Sequence, residues 1–176
     1  TLLFDLRGRL WVGTFGGGLA VYDRGMRQLV RYSASDSLRS NEINYLHQDR
    51  HGDIWVATGE GLVRINSAGL YVEARFDRES GLTNDHIRAV SEDADGNIWF
   101  STNVGIGCIC SDGTICNFDR RDGLTPGNFS SNSVAQAADG LTCFGSTQGV
   151  VYFYPQQFFV KTDAPQVRIS EMQILD

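Results

Sequence analysis

Residues Asp49–Thr58 read Asp-Arg-His-Gly-Asp-Ile-Trp-Val-Ala-Thr, and residues Asp93–Thr102 repeat the pattern as Asp-Ala-Asp-Gly-Asn-Ile-Trp-Phe-Ser-Thr. An earlier copy runs from Asp5 to Thr14. A spacing of 44 residues separates the glycines of four successive copies, Gly8, Gly52, Gly96 and Gly140. The same spacing relates the tryptophans Trp11, Trp55 and Trp99 to one another, and Cys143 takes the fourth position. A fixed period of this kind indicates a chain built from copies of one structural unit.

Each copy has the pattern of four short strands. Residues Ile43–Gln48 and Ile87–Glu92 alternate apolar and polar side chains, which is the period of a β-strand. An Asp-x-x-Gly turn follows, in which the Asp side chain can accept backbone N–H groups and the glycine supplies a positive φ. No stretch shows a sustained helical period. Four antiparallel strands in a unit of roughly 40–45 residues are typical of one blade of a β-propeller.

The sequence therefore predicts an all-β fold, a partial β-propeller of about four four-stranded antiparallel blades. The predicted blades span residues 1–35, 36–79, 80–122 and 123–160. We expect the tryptophans to pack between neighbouring blades. We expect Asp5, Asp49 and Asp93 to cap their turns, because a catalytic acid pair should be unique and not periodic.

Composition and charge exclude several classes of protein. The net charge is −6, and the chain has no cluster of Lys and Arg beyond the pair Arg120-Arg121, so a nucleic-acid partner is not expected. No apolar run approaches the ~18 residues of a membrane span, so no membrane contact is expected from this segment. The three histidines lie in different phases of the repeat, and we predict no metal, no cofactor and no catalytic residue.

The four cysteines do not form a Cys-x-x-Cys pair, and we interpret them as buried free thiols. Asp112-Gly113 is a strong signal for a two-residue hairpin turn. Such a turn places Cys110 opposite Ile115, so that Cys110 and Cys116 are diagonal neighbours.

The pattern Asp-x-x-Gly-x-[Ile/Leu]-Trp-[Val/Phe]-[Gly/Ala/Ser]-Thr-x-x-Gly resembles the two-component regulator propeller repeat. The stretch Thr14-Phe-Gly-Gly-Gly-Leu followed by Tyr22-Asp23, and the inter-blade stretch Gly81–Ile87, also resemble this family. Residues 161–176 resemble a linker and the first strand of the immunoglobulin-like three-Tyr domain that follows in such proteins. The resemblance implies a periplasmic sensor region that responds to an oligosaccharide and signals to a cytoplasmic histidine kinase outside this chain.

A ligand site is expected on non-repeating loops at one face of the propeller, where the connections between blades and between the second and third strands lie. The candidate ligand-binding residues of these loops are Arg39, Glu60, Arg78, His86, Arg121 and Asn128. For each of them alone, a solvated loop residue is the competing interpretation.

Two other functions stay open at this point. An Asp-box propeller glycosidase would need a non-repeating acid and a Tyr nucleophile converging at the centre, whereas the inner strands are repetitive and apolar. A propeller that serves only as a dimerisation or interaction scaffold is the second alternative. Four blades leave uncovered blade surfaces at both ends, and we expect this chain to self-associate.

Overall fold

A computed structural model describes residues 1–124 and 127–158. Fifteen strands form four antiparallel sheets, and consecutive strands are hydrogen-bonded neighbours in each sheet. This arrangement confirms the predicted all-β propeller blades. Within the described residues the blades do not close into a ring.

Three of the sheets have four strands, and the fourth has three in the described part of the chain. Blade 1 consists of β1 (Leu2–Phe4), β2 (Leu10–Gly13), β3 (Leu19–Tyr22) and β4 (Gln28–Tyr32). Blade 2 consists of β5 (Ile43–Gln48), β6 (Ile54–Thr58), β7 (Gly61–Asn66) and β8 (Tyr71–Phe76). Blade 3 consists of β9 (Ile87–Glu92), β10 (Ile98–Thr102), β11 (Ile106–Ile109) and β12 (Ile115–Phe118). Blade 4 consists of β13 (Phe129–Gln136), β14 (Thr142–Ser146) and β15 (Gly149–Phe153).

In residues 1–124 and 127–158, helical structure is limited to three short turns outside the sheets. A π-helical turn spans Ala34–Leu38, and two 3₁₀ turns span Arg120–Asp122 and Pro155–Gln157. The first two lie in connections between blades. The predicted start of a following domain, residues 161–176, lies outside the described residues.

The hydrophobic cores lie between blades, because side chains of a strand alternate between the two faces of its sheet. Trp11 and Leu19 of blade 1 pack in one cluster with Ile54 and Val56 of blade 2. Trp55 occupies the same place between blades 2 and 3, and Trp99 between blades 3 and 4. Blades 1 to 3 therefore each contribute a tryptophan face to one core, and blades 2 to 4 contribute the opposite face to the preceding core.

The first blade has a face that no described residue covers. Leu2 pairs with Val12, and Phe4 pairs with Leu10, so these four side chains share the face opposite Trp11. Leu2 and Phe4 are 69% and 73% exposed. In blade 4, Tyr152 pairs with Cys143 on the neighbouring strand, so their side chains share one face of the sheet. Tyr152 is 69% exposed on that face.

The predicted register of the cysteine hairpin is wrong by one residue. Cys108 pairs with Cys116, and the Cys110 N–H donates to the Thr114 carbonyl at 2.8 Å. The loop therefore has three residues, Ser111 to Gly113, with Gly113 at φ 87°. A positive φ at this position accommodates the extra residue as a bulge, a geometry that a two-residue turn does not have. All four cysteines are free thiols, as expected, but only Cys108 is fully buried. The expectation of burial is wrong for Cys110, Cys116 and Cys143, which are half-buried.

Candidate functional site

The repeated aspartates of the turns form hydrogen bonds within the fold. Asp49 Oδ1 accepts the N–H groups of His51 and Asp53, both at 2.9 Å. Its Oδ2 accepts the indole N–H of Trp55 at 2.8 Å. Gly52 has φ 87°, which closes the turn. The carboxylate thus ties the turn between the first two strands to the tryptophan that fills the next core.

The same contact recurs in the neighbouring blades. The Trp11 and Trp99 indoles donate to Asp5 and Asp93 at 2.9 and 2.8 Å. The equivalent turn glycines, Gly8, Gly96 and Gly140, have φ of 75°, 83° and 89°. In blade 4 the repeat places Ala137 at the aspartate position and Cys143 at the tryptophan position, so both partners are absent together.

The charge state of Asp5 follows from these contacts. Burial alone would raise the pKa of its carboxyl. Hydrogen bonds from the Trp11 indole and from the backbone and side chain of Arg9 outweigh that effect and lower the pKa below its usual 3.8. Asp5 is therefore an ionised structural acceptor, with the Arg9 guanidinium 2.7 Å away.

The loop face is defined here as the end of the blades that carries the inter-blade connections and the turns between second and third strands. Three of the predicted candidates, Arg39, Glu60 and Arg78, line one cavity of about 310 Å³ on this face. Asp77, Glu79 and Asp85 complete its lining, so we call it the acidic pocket.

Both arginines of the acidic pocket are neutralised by carboxylates. Arg39 Nη1 lies 2.5 Å from Asp77 Oδ2, and Arg78 Nε lies 3.7 Å from Asp85 Oδ2. The contact between Arg39 and Asp77 joins residues 38 positions apart and links the two inter-blade loops on either side of blade 2. The carboxylates of Glu60 and Glu79 add further negative charge to the rim.

The other three candidates lie elsewhere. His86 Nε2 is 3.1 Å from Glu42 Oε1, in a contact between neighbouring inter-blade loops. Arg121 is 88% exposed at its side chain and pairs with Asp119 at 2.7 Å, outside the cavities described here. Asn128 lines a second cavity of the loop face.

The second cavity has a volume of about 330 Å³ and lies between blades 3 and 4. We call it the polar pocket; its lining residues are Asn103, Val104, Arg120, Gly127, Asn128, Thr147 and Gln148. Its polar side chains are amides, a hydroxyl and one guanidinium. No acidic residue of the described chain lines it.

Arg88, which was not among the candidates predicted from the sequence, contacts a residue that lines the polar pocket. Arg88 of β9 donates from Nε to Asn103 Oδ1 at 2.8 Å and from Nη1 to Ser131 Oγ at 3.2 Å. The repeat offered a signal, because Arg88 follows the uncharged Asn44 by one period and places a guanidinium on an inner strand.

A larger cavity, of about 590 Å³, opens on the opposite face beside the aspartate turns. Its charged groups already serve the fold: Arg50 Nε is 2.6 Å from Glu92 Oε1, and Arg50 also donates to the backbone carbonyls of Asp93 and Ala94. These contacts join blade 2 to blade 3, and they leave the loop face as the better candidate for ligand binding.

Two further features bear on function: metal-binding groups and helices long enough to span a membrane. In residues 1–124 and 127–158, no group of three or more His, Cys, Asp or Glu side chains is arranged to hold a metal ion. None of the helical turns in this part of the chain has the length and apolar character needed to cross a bilayer.

Comparison with known proteins identifies the repeat. Residues 37–60 and 81–104 match the family model described as two component regulator propeller. The extracellular domain of the putative hybrid two component system BT3049 from B. thetaiotaomicron is 39% identical, with a TM-score of 0.86. That match covers 91% of this chain and 22% of the other, so the chain spans about a fifth of the length of this relative.

More distant structures share the fold. The extracellular domain of the putative hybrid two component system BT4673 from B. thetaiotaomicron is 20% identical, with a TM-score of 0.69 over 87% of this chain and 22% of the other. Virginiamycin B lyase from Staphylococcus aureus is 16% identical, with a TM-score of 0.61 over 86% of this chain and 54% of the other. At these identities the likeness concerns the fold alone. No curated protein sequence matches the chain.

Proposed function

The chain contains two-component regulator propeller repeats, and from this premise we propose that it is a ligand-sensing propeller segment of a hybrid two-component sensor. The segment is periplasmic in this proposal and responds to an oligosaccharide. The signal passes to a histidine kinase and a transcription-regulating region outside this chain. The similarity to extracellular domains of hybrid two-component systems supports the proposal.

The loop face is the observation that carries the proposal. The turns between second and third strands differ from blade to blade, with Glu60, Val104 and Gln148 at the same position of the repeat. The polar residues of the aspartate turns, in contrast, repeat and form hydrogen bonds within the fold. Its two pockets, of about 310 and 330 Å³, are at the lower end of the ~300–1,000 Å³ that small-ligand sites occupy. Amides, hydroxyls and carboxylates of the kind that line them suit the hydroxyl groups of a sugar.

Sensing is favoured over glycoside hydrolysis. An Asp-box glycosidase needs a carboxylic acid that is free to transfer protons beside a tyrosine nucleophile. The buried carboxylates Asp49 and Asp93 each accept an indole and two backbone N–H groups, which occupies their oxygens. Such carboxylates serve as acceptors within the fold.

Titration calorimetry of the full sensor region against a panel of oligosaccharides tests the proposal. We expect heat of binding with at least one oligosaccharide, and at least a tenfold loss of affinity in the pocket variants Glu60→Gln or Asn128→Ala. The exposed hairpin variant Asp112→Asn is the matched control and should bind normally. Absence of binding across the panel would contradict sensing, and release of hydrolysis products would support the enzyme instead.

A dimerisation scaffold is the second candidate, favoured by the uncovered face of blade 1. Leu2, Phe4 and Leu6 are 69%, 73% and 81% exposed. Apolar surface of this kind on a sheet favours association with another copy of this chain. In sedimentation velocity the isolated chain should show a dimer that Phe4→Glu weakens at least tenfold, with Tyr71→Glu on the outer strand of blade 2 as the control. A monomer at high concentration would contradict self-association.

A further inference from the structure

The polar pocket differs from its surroundings in charge. The protein carries a net charge of −6, and the acidic pocket at the loop end of blade 2 holds four carboxylates against two arginines. The polar pocket instead contains Arg120 and no described acidic residue. In the part of the chain that the structure describes, Arg120 has no carboxylate within ion-pair distance.

Arg88 gives the same region a second positive charge. Its side chain is half-buried, and both of its hydrogen bonds go to neutral acceptors, Asn103 and Ser131. Other half-buried arginines of the fold have carboxylate partners: Arg9 lies 2.7 Å from Asp5, and Arg64 lies 2.7 Å from Asp53. Among the described residues Arg88 has no such partner.

A chain of hydrogen bonds holds Arg88 in place. Ser131 Oγ, which accepts from Arg88, donates to Asn44 Oδ1 at 3.3 Å, and Asn44 Nδ2 donates to the Ile87 carbonyl at 3.0 Å. Arg88 in turn fixes the carbonyl oxygen of the Asn103 amide, and Asn103 lines the pocket. A half-buried guanidinium without a counter-ion loses hydration that an anionic ligand can replace.

We propose that the polar pocket binds the anionic group of an acidic sugar, a saccharide bearing a carboxylate or a sulfate. Arg120 contacts the anion, since its planar guanidinium matches the geometry of an oxyanion. Asn103, Asn128 and Gln148 bond the hydroxyls of the ring. Arg88 is a positioning residue, which orients Asn103 and adds positive potential. This assignment rests on the proposed sensing function and names the chemical class of its ligand.

Calorimetry of the full sensor region with matched sugars tests the assignment. The probes are a disaccharide of galacturonic acid, the neutral galactose disaccharide, and the galactose disaccharide with a sulfate ester. We expect one of the two acidic probes to bind at least tenfold more tightly than the neutral probe, and that probe identifies the anion. Its affinity should fall as NaCl is raised, because exposed ion pairs are screened by salt.

Variants separate the pocket from the general charge of the protein. Arg120→Gln should weaken the acidic probe at least tenfold and leave the neutral probe unchanged. Arg121→Gln removes the same charge from the adjacent residue, which pairs with Asp119 outside the pocket, and should change neither. Arg88→Gln should weaken both acidic and neutral probes through Asn103, whereas Arg88→Lys should retain part of the preference for the anion. Circular dichroism melting curves report whether each variant is folded.

The outcomes distinguish this assignment from the sensing function on which it rests. If a neutral sugar binds as tightly as both acidic probes, or if Arg120→Gln behaves like Arg121→Gln, the assignment of the polar pocket is wrong and sensing survives. If no saccharide of any charge binds, both are refuted.

Discussion

Replacing Asp93 by alanine tests whether the aspartate turn stabilises the propeller. Asp93 Oδ1 accepts the backbone N–H groups of Asp95 and Asn97, and Oδ2 accepts from Asn97 Nδ2 and Trp99 Nε1, all at 2.8–2.9 Å. Asn97 and Trp99 are buried, so water cannot readily replace the lost acceptor. The variant therefore leaves three buried donors unpaired: the indole N–H, the backbone N–H of Asn97 and the Asn97 side-chain amide.

The size of the effect follows from these three donors. A buried donor without a partner costs about 1–3 kcal/mol, so Asp93→Ala should lower the free energy of unfolding by at least about 3 kcal/mol. For a chain of this length that corresponds to a fall in the melting temperature of at least roughly 6–12 °C. Asp112→Ala is the matched control, because exposed Asp112 accepts the Thr114 N–H where water can replace it, so the change should cost much less than Asp93→Ala.

Urea unfolding followed by tryptophan fluorescence measures both variants, and a double-mutant cycle isolates the indole contact. In a Trp99→Phe background the indole donor is absent, so Asp93→Ala should cost about 1–3 kcal/mol less than in the parent chain. Equal costs of Asp93→Ala and Asp112→Ala, or a coupling of zero, would refute the argument that the carboxylate stabilises the blade through the indole.

Further predictions concern the packing of Trp55, the stability of the fold at low pH and the reactivity of the cysteines. Trp55→Ala should cost about 3–5 kcal/mol in urea unfolding, since Trp55 is buried between blades and stacks on Phe76 at 5.7 Å; an unchanged melting temperature would contradict this. The folded-state pKa of Asp5 is lowered below 3.8, so its stabilisation is complete above that pH and is lost as pH falls through the folded-state pKa. A plot of stability against pH should accordingly be flatter below pH 3.8 for Asp5→Asn than for the parent. Burial strongly raises the pKa of the Cys108 thiol, so a thiol reagent near neutral pH should modify the half-buried Cys143 before Cys108, which should react only on unfolding. Equal rates in the folded chain would count against this.

The fold was predictable from sequence because its signals are local and periodic. Asp49, Gly52 and Trp55 lie within seven residues of one another, and three copies of the pattern display it. The cysteine hairpin was predicted in the wrong register because the sequence Asp-Gly suits both a two-residue turn and a three-residue loop with a bulge. The choice between them depends on the twist of the flanking strands, which the sequence does not display.

The candidate site was only partly predictable, because its contacts are long-range. Arg39 and Arg78 share a pocket because the inter-blade loops on both sides of blade 2 converge. The position of these loops at one face of the propeller was enough to suggest this proximity. Sequence could not tell that their charges are neutralised by Asp77 and Asp85. Arg88 was missed because its role depends on contacts with Asn103 and Ser131, which are 15 and 43 residues away in the sequence.

The placement of the cores between blades has a consequence for how such chains gain or lose length. The tryptophan face of one blade meets the same kind of surface on each successor, as the clusters around Trp11 and Trp55 illustrate. Insertion or deletion of one whole 44-residue period therefore recreates an interface between blades that already exists. A change of half a period, in contrast, separates a tryptophan from the residues of the next blade that it packs against. The number of blades in this architecture can therefore change during evolution without a new type of interface.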